Sequence, residues 1–268
     1  MKIAQIQMNS QEDKAANLKV AEELITAAAE AERPELIALP EYFACLSGSP
    51  AIQHASGEPF PDGPTFRMVA GLAKRHRITI HAGSCVEKEE NRFYNTTAVF
   101  GPDGRVLARY RKIHLFDVVV PGGVRYLESE TVARGSEIVT YSAGDFVIGC
   151  SICYDIRFPE IYRSLRDAGS DIIMIPAAFT LQTGKDHWEV LVRARAIETQ
   201  TYVLATAQVG TYAGGKKACW GHTMAVDPWG QIIAQASDRV GYITARLDKS
   251  YLTEVRQSIP VANHHVIA

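Results

Sequence analysis

The sequence predicts an α/β protein with helices layered against sheets, and three observations carry that reading. Short β-branched runs alternate with helical periodicities in single crossovers, first as residues 3–8, 13–31 and 36–41. The same strand-helix-strand order returns further on, where Ile173-Met174-Ile175-Pro176 echoes Ile37-Ala38-Leu39-Pro40, a pattern of two similar halves facing one another. Finally, 268 residues at 47% hydrophobic and 22% charged supply a large core, and no stretch has the composition of a linker. A single domain over 1–268 is expected, with a tail from about 258.

Each element has its own signal. Residues 3–8 alternate like a strand; 13–31 place Leu18, Ala21, Leu24, Ile25 and Ala28 at helical spacing until Pro34 intervenes. Residues 36–41 are a buried strand with proline at its exit, and parallel pairing to 3–8 requires a right-handed crossover. A loop is expected over 44–62, then a helix over 65–76 with Phe66, Val69, Leu72 and Ala73 inward. Strands follow at 78–83, 95–100 and 106–112, the last two joined by the turn Gly101-Pro102-Asp103-Gly104. Residues 117–136 read as an irregular excursion, the kind of long loop that enzymes put to use. Strands at 146–152, 171–175 and 202–207 enclose helices at about 159–169 and 186–199, the latter turning Trp188, Leu191, Ala194 and Ile197 inward. After the Gly-rich 210–215 come strands 222–226, 231–235 and 242–246 and a last helix at 248–257.

The chemistry concentrates at residues 144–160. Phe146 to Ile152 form a buried strand; Asp155, Pro159 and Glu160 then announce a helix, so Cys153 occupies the strand-to-helix corner. A thiol there meets free backbone N–H groups and a helix dipole that favours thiolate, which suits a nucleophile. Two other readings stand beside it. Cys153 is a small buried hydrophobe, or it forms a redox pair with Cys150; strand alternation opposes the pair, because positions 150 and 153 leave opposite faces.

Charge and cysteine usage narrow the function classes. A formal net charge of -2 and a pI near 6.5 give no general attraction to nucleic acid or anionic membrane. No run approaches the roughly 18 to 20 apolar residues that span a bilayer, and the first residues lack the features of a signal peptide. Five cysteines without export signals are expected as reduced thiols in the cytoplasm. No Cys/His cluster has zinc spacing, so no metal is expected. A small-molecule substrate is the natural partner.

A cysteine attacking a carbonyl needs a proton acceptor and a holder for the developing negative charge. None of the eight histidines is as well placed as Glu41, which follows a strand and a proline where α/β sites collect. Lys112 ends a strand in which Arg109 and Arg111 share one face while Tyr110, Lys112 and His114 share the other, so alternation directs Lys112 away from its cationic neighbours. Alone, Glu41 also reads as a solvent-facing carboxylate, and Lys112 as part of a basic edge.

Three segments resemble the signatures of the nitrilase superfamily of carbon–nitrogen hydrolases: Leu39-Pro40-Glu41-Tyr42-Phe43, the run from Tyr110 to Asp117, and Cys153-Tyr154-Asp155-Ile156-Arg157-Phe158-Pro159-Glu160. The segments His187 to Leu191, Arg193 to Gln200, Gly221-His222 and Val226 to Gly230 are similar to the Nit amidases within it. The resemblance implies a four-layer α-β-β-α sandwich, homodimers or higher homo-oligomers, no cofactor, and a Glu-Lys-Cys triad. On this chain Glu41 is the general base, Lys112 the cationic stabiliser and Cys153 the nucleophile. Glu128 matches the family's second glutamate, with Glu130 two residues away as a rival, and the Tyr154 N–H joins Lys112 at the oxyanion.

The implied reaction is hydrolysis of a small linear amide through a thioester, with carboxylate-bearing amides such as deaminated glutathione or the ω-amide of a 2-oxo acid in view. Nitrile or N-carbamoyl substrates are the alternatives with the same triad, and a thiol sensor or interaction module is the alternative outside catalysis. Arg157 reads equally as a clamp for a substrate carboxylate or as a structural ion pair; Tyr42 and Phe179 are further substrate contacts. The 207–220 loop is expected to border the pocket, with Lys216 and Lys217 either in it or on solvated surface.

Overall fold

The structure, a computed structural model, describes residues 1–119 and 125–266. In chain order its first half comprises β1 (Lys2–Gln7), α1 (Lys14–Glu32), β2 (Leu36–Ala38), α2 (Pro50–Ala55), α3 (Pro64–His76), β3 (Thr79–His81), β4 (Cys85–Glu89), β5 (Arg92–Phe100), β6 (Val106–Arg111), β7 (Asp117–Val119) and β8 (Arg125–Leu127). The second comprises β9 (Thr140–Ala143), β10 (Phe146–Cys150), α4 (Pro159–Asp167), β11 (Ile172–Ala177), α5 (Leu181–Thr199), β12 (Tyr202–Ala207), β13 (Val209–Tyr212), β14 (Lys217–Trp220), β15 (Met224–Val226), β16 (Ile232–Gln235), β17 (Gly241–Arg246) and α6 (Lys249–Ser258).

A 7-stranded sheet in the order β17-β1-β2-β3-β5-β4, with β6 beside β5, faces a 6-stranded sheet in the order β16-β15-β12-β11-β10-β9. The repeat visible in the sequence is real in this sense: β1-β2-β3 and β10-β11-β12 are both parallel trios joined by helical crossovers. Helices α1 and α3 cover the first sheet, α4 and α5 the second, and β1 lies against β12 between them. The four-layer α-β-β-α arrangement is therefore as expected.

Alternation on β1 explains the layering. Ala4 and Ile6 face α1 and α3 in one apolar cluster, while Ile3 faces the second sheet in another. Gln5 shares that inner face, and its amide donates to Thr206 Oγ1 (3.1 Å) and the Met224 carbonyl (3.2 Å), which ties the sheets together with polar bonds. Asp13 caps α1 by accepting from the Ala16 N–H (3.0 Å), and Arg33 closes it in left-handed conformation just before Pro34.

Several elements depart from the sequence expectation. Helix α2 lies inside the expected loop 44–62; Pro50 at its first turn was the available signal. Strands β4 and β9 and the hairpin β13-β14 were too short for periodicity to mark. The excursion 117–136 contains the paired strands β7 and β8 followed by a 3-10 turn at Glu128–Glu130; residues 120–124 of that expectation lie outside the described residues. Helix α5 begins at Leu181 and buries Trp188, Val192, Arg195, Ala196 and Thr199. Leu191 packs against the core at its edge as expected, while the inward placement of Ile197 is corrected by rotation about the helix, which leaves it half exposed. Gly184 fits within α5 because a Cβ there would sit 2.3 Å from Trp220 Cβ, so strand β14 packs directly on the helix backbone.

Candidate active site

Strand ends from both sheets meet at one cavity. Glu41 leaves β2 in a turn that the end of β3 and the segment after it hold by backbone bonds: Leu39 N–H to the His81 carbonyl (3.0 Å), Ser84 N–H to that of Pro40 (3.2 Å), and Phe43 N–H to that of Ser84 (3.1 Å). Tyr42 turns in left-handed conformation (φ 53°), its N–H donating to Ser84 Oγ (3.1 Å). Lys112 follows β6, and its N–H donates to the Asn95 carbonyl on β5 (2.9 Å). Cys153 follows β10 in a 3-10 turn, Cys153–Arg157, at φ 45°. Non-glycine residues in that region are strained and persist only where surroundings over-determine them, a pattern that collects at functional positions.

The cavity, of about 400 Å³, is walled by Glu41, Tyr42, Lys112, Glu128, Cys153, Tyr154 and Phe179 among others. Of the catalytic and substrate-contacting residues expected from the sequence, Arg157 is absent from the wall, as is Lys216 of the 207–220 segment. The Arg157 guanidinium stacks 5.3 Å from the centre of the Phe179 ring with Nη2 3.3 Å from His187 Nδ1, and no acid pairs with it among the described residues. It also lies 6.0 Å from the centre of the Tyr154 ring, and the structural ion pair weighed for it is not formed among the described residues.

Lys112 Nζ donates to Glu41 Oε1 (2.9 Å) and Glu128 Oε2 (2.8 Å), with Lys112 and Glu41 side chains 2% and 3% exposed. Glu130 has no such bond, which settles the geometric rivalry for Lys112 in favour of Glu128. Asn95, fully buried on β5 and read from sequence only as a strand residue, bridges the carboxylates: its amide donates to Glu41 Oε1 (2.9 Å) and Glu128 Oε1 (3.0 Å). Tyr42 OH donates to the same Glu128 oxygen (2.9 Å), the Phe116 N–H to Oε2 (2.8 Å), and the Ala178 N–H to Glu41 Oε2 (2.7 Å). Gln208 adds a bond from its amide to the Glu41 carbonyl (3.0 Å).

This crowding sets the electrostatics. Burial works against the Lys112 ammonium, but Glu128 and Glu41 outweigh it and hold its pKa well above the ordinary range. Burial likewise raises Glu128, yet Lys112 together with the Phe116 and Asn95 donors brings it below the usual carboxylate value. For Cys153, burial and then the Glu41 charge push the thiol well above its usual pKa, with Lys112 opposing. The thiolate expected from a helix dipole is therefore not favoured: α4 starts only at Pro159, and burial followed by the Glu41 charge outweighs the ammonium. A neutral thiol beside a carboxylate can hand over its proton as it attacks, and the ammonium can receive the negative charge that results.

All five cysteines are free, and Cys150 is enclosed in the core, while Cys153 opens on the cavity. The redox pairing is thus not formed. Among the described residues there is no grouping of His, Cys, Asp and Glu that suits a metal ion, and no helix is long and apolar enough to cross a membrane.

An α-β-β-α sandwich with a buried acid, ammonium and thiol at its strand ends defines a hydrolase class. The carbon–nitrogen hydrolase family model matches residues 2–257, and the chain belongs to that family. It is 42% identical over 269 residues to a deaminated glutathione amidase of Synechocystis sp., covering 98% of this chain and 97% of that protein. It is 40% identical over 248 residues to the omega-amidase NIT2-B of Xenopus laevis, with 92% and 88% covered. Among solved structures, the NitFhit protein of C. elegans superposes with a TM-score of 0.91 at 38% identity; 98% of this chain is covered, and it spans 64% of that longer one.

Proposed function

We propose that the protein hydrolyses a small linear amide with Cys153 as nucleophile, Glu41 as general base and Lys112 with the Tyr154 N–H as oxyanion holders. That it is an enzyme of amide hydrolysis accords with its family and amidase relatives. The observation that carries the residue roles is the convergence of Glu41, Lys112, Glu128 and Cys153 on one cavity from four separate chain segments.

The chemistry follows from the charges. The thiol proton passes to Glu41 as sulfur bonds to the carbonyl carbon, and the C=O electron pair moves onto oxygen. The oxyanion is met by the Lys112 ammonium and by the Tyr154 N–H at the head of the 153–157 turn, where the first amides have no partner within the turn. Glu41 then returns the proton to nitrogen, the C–N bond breaks, and ammonia leaves a thioester on Cys153. Water, deprotonated by Glu41, attacks the thioester; the carboxylic acid departs and the sulfur recovers its proton. Glu128 keeps Lys112 charged and aimed throughout.

The named activities of the relatives, deaminated glutathione amidase and omega-amidase, support a substrate that bears a carboxylate besides its amide. We also infer a single hydrolase domain that acts in the cytoplasm as a homodimer or larger homo-oligomer, from the family resemblance and the reduced cysteines. The deciding experiment measures ammonia release from a panel of such amides by wild type and Cys153→Ala. Loss of turnover in the variant, with an acyl adduct on Cys153 of the wild type by mass spectrometry, is expected; equal turnover in both overturns the reading.

A further inference from the structure

The cavity wall carries the cations Lys112, Arg125 and Lys217. Lys112 is already engaged by Glu41 and Glu128, and Arg125 is exposed on β8. Lys217, at the start of β14, is different. Its ammonium lies 4.3 Å from the centre of the Tyr126 ring, and its stem runs beside Gly48, where a Cβ would stand 3.7 Å from Lys217 Cε. Tyr212, its cross-strand neighbour, belongs to the same wall, whereas Lys216 is exposed. Among the described residues no carboxylate comes within ion-pair distance of Lys217, although Glu130 shares the cavity. Burial lowers its pKa with no acid compensating.

An ammonium held half-buried by an aromatic face, with no acid of the protein's own, is an anion receptor. The wall around Cys153 has the reverse character. There two carboxylates face one ammonium, and the excess negative charge repels any acid group of a substrate. A molecule with an amide at one end and a carboxylate at the other is thus sorted by field: amide toward Cys153, carboxylate outward.

We propose that Lys217 receives the substrate carboxylate remote from the scissile amide, and so selects linear amides that carry one. This rests on the proposed amide hydrolysis, and it moves the anchor from the 153–160 segment to the β13-β14 hairpin.

The test compares ammonia release from a short dicarboxylic monoamide with that from the neutral amide of the same length ending in a methyl group. Wild type is expected to favour the acid; the ratio of the two kcat/KM values falls about tenfold or more in Lys217→Met, the worth of one charged hydrogen bond, and is retained in Lys217→Arg. The loss enters through KM of the acid. An unchanged ratio in Lys217→Met, a wild type that does not favour the acid, or a collapse in Arg125→Met instead overturns the assignment. Failure of wild type to release ammonia from either amide would instead indict the proposed hydrolysis itself.

Discussion

The carboxylate of Asp155 grips His114 twice, its Oδ1 accepting from the backbone N–H (3.0 Å) and from imidazole Nδ1 (2.7 Å). Oδ2 accepts from Tyr110 OH (2.7 Å) and from the Ile152 N–H (2.9 Å), and the whole residue is buried. His114 lies two residues after Lys112, and Asp155 two residues after Cys153. One anion therefore fixes the spacing of ammonium and thiol from beneath. Asp155→Asn replaces an acceptor oxygen with a donor facing two donors. It should cost about 3 kcal/mol of stability, as breaking a buried charged cluster does, and lower kcat about tenfold or more with little change in KM, since a misplacement of about 1 Å can cost more than that. Urea unfolding and steady-state kinetics check it; lost stability with intact kcat would reduce Asp155 to scaffolding.

Asp155 shows which contacts are legible in a sequence. The helix cap expected of it is not formed, since α4 starts at Pro159 without a side-chain cap and Asp155 instead accepts from the Ile152 N–H within the 3-10 turn; its hold on His114 joins segments 41 positions apart, which no local pattern contains. The inward aim of Lys112 followed from alternation alone, with Arg109 and Arg111 on the other face bound to Glu87. Asn95 escaped because an asparagine in a strand carries no signal until both its acceptors are known. Lys217 could not be told from Lys216, since which of them turns inward depends on the pairing of Tyr212 with Lys217 across a Gly-rich turn. The Cys153 corner is legible locally, but its electrostatics are not, because burial between the sheets and a carboxylate from the other sheet set them.

That carboxylate gives a pH-dependent prediction. Glu41 raises the Cys153 thiol after burial does, so removing its charge lowers the thiol pKa. In Glu41→Gln the pH at which Cys153 alkylation by iodoacetamide reaches half its limiting rate should move downward relative to wild type, while amide turnover falls by two orders of magnitude or more, on the order expected for losing a general base. Mass-resolved alkylation rates against pH measure it, and an unmoved or higher midpoint in the variant would contradict the assigned role of Glu41.

His81 supplies a stability prediction of opposite origin. It is fully buried on β3 against Tyr141, and burial drops its pKa to about 3. The unfolded chain, near the ordinary 6.5, binds a proton that the folded one refuses; stability is fully present above pH 6.5 and declines as pH falls toward 3. The slope approaches about 1.4 kcal/mol per pH unit within that window. Unfolding free energies from urea titrations of wild type and His81→Gln between pH 7 and 4 should converge on acidification by roughly that slope. Parallel curves would show that His81 does not carry the acid sensitivity.

The position of Glu41 rests on Gly83. With φ at 49°, Gly83 crosses the turn so closely that a Cβ would lie 2.0 Å from the Pro40 carbonyl oxygen and 2.5 Å from that of Leu39. Left-handed backbone costs a non-glycine residue about 1 kcal/mol, and the overlap forces the Pro40 peptide, hence Glu41, to move. Gly83→Ala is expected to lose about 3 kcal/mol or more, in the range of core overpacking added to backbone strain. Ser84→Ala is the gentler companion: it deprives the buried Tyr42 N–H of its acceptor at a cost of about 1–3 kcal/mol while the turn survives. If the turn positions Glu41, Ser84→Ala folds with reduced kcat, and Gly83→Ala loses kcat more steeply than stability at any temperature where it remains folded. Full kcat in both variants would show that Glu41 is held from the Ala178 and Asn95 side alone.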